Sequence, residues 1–83
     1  MPVIESGLFT VCKRFPDYTD KVKMLFRESE AFRGLCKDYV KCAEALRYWN
    51  HHESGEAPAR REEYKVLLQG LEAEIMEKLN ESE

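Results

Sequence analysis

The chain has 83 residues, of which 43% are hydrophobic and 35% are charged, and its net charge is -3. These values allow one domain with a small core, are too apolar for a disordered chain, and exclude a globally basic surface for nucleic acid. Residues 1–52 hold nine Lys and Arg against seven Asp and Glu, whereas residues 53–83 hold four against nine. The two halves should therefore attract each other, as expected of two arms that fold together.

Three features set the expected compartment. No early positive charge precedes the apolar run, which residues 5–7 interrupt, so we expect no signal peptide. No stretch has the length of a membrane-spanning helix. Cys12, Cys36 and Cys42 are an odd number of thiols without a CxxC, a poor disulfide framework for a small secreted domain. We expect reduced thiols, no membrane partner and a cytoplasmic location.

Residues 1–15 show an ambiguous pattern. Phe9, Val11 and Phe15 fall on one side of an alternating stretch, but a strand here has no second strand to pair with. We predict an irregular arm, either disordered or packed on the helices through Leu8, Phe9 and Val11.

A short helix is predicted at about residues 18–28. Asp17 or Thr19 can cap its first backbone N–H groups. Ser29 can cap the helix that follows, and a glycine weakens the chain just beyond it, so we predict a break or kink between Ser29 and Gly34.

Two long helices are predicted at about residues 30–52 and 58–80, joined by a polar turn. Apolar residues recur on each at alternating steps of three and four, as on the seam of a coiled coil. The fold class is therefore all-α: an antiparallel helical hairpin domain at residues 16–83, preceded by the arm. The seam residues are Phe32, Leu35, Tyr39, Leu46 and Trp49 on the first helix, and Tyr64, Leu68, Leu71, Ile75 and Leu79 on the second.

A register follows from folding the two helices about the turn. Facing residues should have numbers that sum to about 111, which brings Tyr39 near Leu71. The same register places a basic row of one helix against acidic residues of the other. The row is Arg33, Lys37 and Lys41, and its expected partners are Glu74 and Glu77.

Two helices leave part of each seam uncovered. Trp49, Tyr48, Phe26, Phe32 and Met76 would stay partly exposed, and an apolar patch of that extent indicates a partner. We predict a symmetric homodimer in which two hairpins form a four-helix bundle. Packing of the first helix back on the hairpin is the competing solution.

The chain resembles the YdcH-like family, small bacterial helical hairpins of unknown function. The matching features are Phe-Pro-Asp-Tyr at residues 15–18, Phe32 and Leu35 as an FxxL, Gly-Glu-Ala-Pro at residues 55–58, and Leu71 with Glu74 and Ile75. The match covers roughly residues 15–79. The chain departs from the pattern at Leu68 and Gln69, where the family carries basic residues, and in residues 1–14. The resemblance implies a hairpin fold and brings no catalytic residues.

Reaction chemistry is weakly represented. His51 and His52 are adjacent, so they point about 100° apart on a helix, a poor geometry for one metal. The sequence offers no phosphate loop and no nucleophile–base arrangement. We therefore predict no enzyme, no catalytic residue, no metal site and no cofactor.

Three functions remain open at this point. The first is a protein–protein interaction or oligomerisation module. The second is a nucleic-acid accessory protein that uses the basic row together with Lys13 and Arg14, although nucleic acid is the less expected partner. The third is a metal or redox sensor that uses His51, His52 and the thiols.

Overall fold

The computed structural model describes residues 3–81, and their side chains from Gly7 onward. Four α-helices follow one another: α1 is Val3–Arg14, α2 is Thr19–Glu28, α3 is Glu30–Asn50 and α4 is Ala57–Glu81. A 3-10 turn, Pro16–Tyr18, joins α1 to α2. No strand occurs in residues 3–81, so the protein is all-α. The ends of the predicted arm and domain, at residues 1–2 and 82–83, lie outside the described residues.

The predicted irregular arm at residues 1–15 is wrong, because α1 occupies most of it. Leu8, Val11 and Phe15 recur at steps of three and four, and a helix puts them on one side, where they join the core. Phe9 lies off that side and is 66% exposed. The alternation that includes Phe9 was therefore the wrong period for this stretch.

The predicted break after the first helix is confirmed at Ser29. This residue is extended, and its hydroxyl accepts a hydrogen bond of 3.1 Å from the backbone N–H of Phe32. Such a cap satisfies one of the free donors at the start of α3. At α2, by contrast, no side chain caps the start, and the hydroxyl of Thr19 donates to the carbonyl of Pro16 instead.

Helices α3 and α4 pack along much of their length. The connection, residues 51–56, is short and contains Ser54 and Gly55 as predicted. Near it, Arg61 donates to the carbonyl of Trp49, and farther away Tyr39 donates to Glu72. Tyr39 and Glu72 have numbers that sum to 111, and Glu72 is the neighbour of the predicted Leu71.

The core forms where α1 and α2 cover one side of the α3–α4 pair. Phe26 and Phe32 are only 8% and 3% exposed. Packing of the first predicted helix back on the hairpin, the alternative to a dimer, therefore explains how these two side chains are buried. Gly7 lies against Cys36, where a Cβ on the glycine would be 3.6 Å from that of the cysteine. The buried cluster contains Val11, Phe15, Val22, Phe26, Phe32, Cys36, Tyr39, Ile75 and Leu79. Four predicted seam residues are thus buried, namely Phe32, Tyr39, Ile75 and Leu79. The other six are partly exposed, namely Leu35, Leu46, Trp49, Tyr64, Leu68 and Leu71.

Candidate functional site

The carboxylate of Glu72 joins three helices. It accepts hydrogen bonds from Arg14 Nε at 2.9 Å and from Arg14 Nη2 at 3.1 Å, and a third from the Tyr39 hydroxyl at 2.8 Å. The planar guanidinium matches both carboxylate oxygens, the geometry that makes such pairs strong and specific. The contact fixes the C-terminal end of α1 to α3 and α4.

These contacts shift the titration of both acidic groups. The Arg14 hydrogen bonds lower the pKa of Glu72, and the Tyr39 hydroxyl adds to that effect against the opposing effect of burial. Burial, followed by the hydrogen bond to Glu72, raises the pKa of Tyr39 to about 12. Glu72 is therefore charged and Tyr39 neutral at neutral pH, and the pair is suited to holding helices together rather than to moving protons.

The predicted pairing between the basic row and α4 stays a prediction. Within residues 7–81, no ion pair joins Arg33, Lys37 or Lys41 to Glu74 or Glu77. The Arg33 guanidinium turns to the end of α2 instead, where it donates to the carbonyls of residues 26 and 27 at 2.8 and 3.1 Å. Those carbonyls have no partner within their own helix, so a cation there is more favourable than an exposed ion pair.

The three thiols are free, and their surroundings favour the protonated form. Cys36 and Cys42 are buried and Cys12 is partly buried. Burial, with a smaller contribution from the neighbouring Cys12, raises the pKa of Cys36 to about 12. Burial also raises the pKa of Cys42, whose Sγ lies 3.4 Å from the carbonyl of Tyr64. A reactive cysteine needs the opposite shift.

The two histidines directly follow the last residue of α3, and His52 packs against aromatic side chains of that helix. His52 stacks on Tyr48, with ring centroids 5.1 Å apart, and meets the edge of Trp49 at 5.2 Å. His51 is exposed. Among the residues that the structure describes, no three His, Cys, Asp or Glu side chains are grouped closely enough to hold a metal ion.

The side of the α3–α4 pair away from α1 is open. At one end it contains a groove of about 660 Å³, whose lining includes Leu35 and Asp38 of α3 and Glu74 and Lys78 of α4. Leu67 precedes Glu74 by seven residues and so lies on the same side of α4, where it is 53% exposed. We call the surface formed by these five residues the groove face.

Two residues of the Glu72 cluster escaped the sequence analysis. Glu72 lies next to the predicted Leu71, so the proposed register already brought it near Tyr39. Arg14 gives no such signal, because its partner lies 58 residues away and α1 was not predicted as a helix.

No protein-family model matches the chain, and comparisons with curated proteins and with solved structures gave no match either. None of the helices in residues 3–81 combines the length and the apolar character needed to cross a bilayer.

Proposed function

We propose that the protein is a non-catalytic interaction module, in which α3 and α4 act as a helical hairpin that binds protein, first a second copy of itself. The observation that carries the proposal is Leu67, a large aliphatic side chain that is 53% exposed on the side of α4 that also carries Arg60 and Glu74. Partly exposed Leu35 and Leu71 extend the apolar surface. An apolar patch rimmed by charges is typical of a protein-binding surface.

The chemistry of the polar residues supports a binding role over catalysis. Glu72 is fully engaged by Arg14 and Tyr39, and the pKa of each thiol is raised. Arg33 is engaged by carbonyl groups of α2, which weakens the basic row as a phosphate-binding surface.

The surface proposed here for dimerisation differs from the one that the sequence analysis expected. Phe26 of α2 and Phe32 of α3, which were expected to stay partly exposed, are buried in the core that these two helices form with α1 and α4. The large apolar side chains that remain exposed among the described residues are Phe9, Tyr48, Val66 and Leu67, and of these Leu67 lies on the groove face. A weak, concentration-dependent association fits a surface of this kind better than an obligate dimer.

Sedimentation velocity of the full chain over a wide range of micromolar concentrations tests the proposal. We expect the average mass to rise above the 9.8 kDa of one chain as the concentration increases. A single species of 9.8 kDa at every concentration would contradict self-association.

The YdcH-like resemblance remains a proposal about ancestry. The Phe-Pro-Asp-Tyr segment that carries it forms the 3-10 turn and its flanks, and Phe32 is buried in the core. Both roles are structural, so the resemblance concerns the fold.

A further inference from the structure

Building on the proposed self-association, we infer that the second copy binds to the groove face with its α4 antiparallel to the first, so that Leu67 of one copy contacts Leu67 of the other. Leu67 is the large apolar residue of this face with the greatest exposure. A two-fold axis through it buries the same side chain from both copies, which is the self-complementary arrangement of a symmetric dimer.

Charge complementarity selects this register. Arg60 and Glu74 lie seven residues before and after Leu67, so in the antiparallel pair each Arg60 faces Glu74 of the other copy. Glu56 and Lys78 lie eleven residues before and after Leu67, and they face each other in the same way. Two kinds of opposite-charge pair, each occurring twice by symmetry, therefore meet in a single register.

Arg60 and Glu74 are available for new partners. Glu74 is exposed and forms no ion pair within residues 7–81. Arg60 contacts Glu56 at 3.6 Å and Glu63 at 3.1 Å, but these pairs are solvent-exposed. Exposed pairs of this kind contribute little to stability, so a shift of Arg60 toward Glu74 of the second copy costs little.

The groove also fits this arrangement. Ala45 of α3 lies close to the level of Leu67, and therefore close to the level of the two-fold axis. Asp38 and His52 lie seven residues before and after Ala45, so the antiparallel register brings His52 of the second copy to the level of Asp38. Asp38 lines the groove, and the groove is open at Gly34, where a Cβ would meet no neighbouring group within 4 Å.

Two neighbouring exposed aliphatic residues of α4 supply a matched test. Leu67 and Val66 are 53% and 57% exposed, but they point about 100° apart on α4. Leu67→Glu should raise the dissociation constant of the dimer at least about tenfold, because it buries two facing carboxylates at the two-fold axis. Val66→Glu adds the same charge off the groove face and should leave the constant within about threefold of wild type.

Charge reversal tests the register itself. Arg60→Glu and Glu74→Arg should each weaken association by about threefold to tenfold, and the double variant should recover most of the loss because the opposite charges are restored. Lys65→Glu, an exposed reversal on another side of α4, is the control. Circular dichroism of each variant checks that the helices remain formed.

The outcomes separate this interface from the broader proposal. Association that is weakened by Leu67→Glu, spared by Val66→Glu and restored in the double variant supports the groove-face dimer. Association that Leu67→Glu leaves unchanged overturns this interface and leaves self-association standing. A wild-type chain that stays monomeric at all concentrations overturns both.

Discussion

The hydroxyl of Tyr39 donates a 2.8 Å hydrogen bond to the carboxylate of Glu72, which also binds the guanidinium of Arg14. One partly buried carboxylate thus connects α1, α3 and α4. The apolar core packs the same helices, but apolar contacts are not directional, and this cluster specifies how α1 is aligned on the pair.

Tyr39→Phe removes this hydroxyl while keeping the ring. We expect the free energy of unfolding to fall by about 1 to 2 kcal/mol, because the hydrogen bond is to a charged group in a partly buried place. Urea unfolding followed by circular dichroism measures the change. Tyr48→Phe, whose ring is 56% exposed, is the control and should change the value by less than about 0.5 kcal/mol.

The stability contributed by Glu72 should depend on pH. Its pKa in the folded chain is lowered from the ordinary value of 4.5, so its contribution is present above that value and is lost as the pH falls through the lower folded pKa. In Glu72→Gln this contribution is absent at every pH. The difference in unfolding free energy between wild type and variant should therefore be constant near neutrality and shrink in acid.

Thermal unfolding of both proteins across the acid range measures that difference. Glu74→Gln is the matched control, since Glu74 is exposed and lies outside the cluster. A gap between wild type and Glu72→Gln that stays the same into strong acid would show that the carboxylate contributes nothing through its charge.

Ser29→Ala removes the side-chain cap of α3. The backbone N–H of Phe32 then loses its 3.1 Å acceptor, and we expect a loss of about 1 kcal/mol in the free energy of unfolding. Ser54→Ala, in the exposed connection, should have a much smaller effect. Equal losses in the two variants, measured by urea unfolding, would argue against the cap as the cause.

The thiols should differ in their rate of alkylation. At neutral pH Cys12 should react first, because Cys36 and Cys42 are buried and burial raises the pKa of Cys36 to about 12. Mass spectrometry of peptides after timed exposure to iodoacetamide gives the three rates. In urea the rates should converge, and native-state alkylation of Cys36 as fast as that of Cys12 would contradict the packing of α1 on α3.

The sequence by itself determined the all-α class and the positions of the later helices. The apolar steps of three and four in α3 and α4, the cap at Ser29 and the polar turn around Gly55 are local signals, because each depends on residues within a turn or two of one another. They predicted helix ends to within two residues.

Tertiary structure alone decided which side of α3 and α4 is covered and which partners the charged groups take. Arg14 binds Glu72 across 58 residues, and Arg33 binds the end of α2 rather than α4, because a charged side chain goes to the acceptors that packing brings within reach. Helix α1 likewise owes its place to the core that Val11 and Phe15 enter. Periodicity reports which residues share a face, whereas the contacts between faces depend on how all the helices pack together.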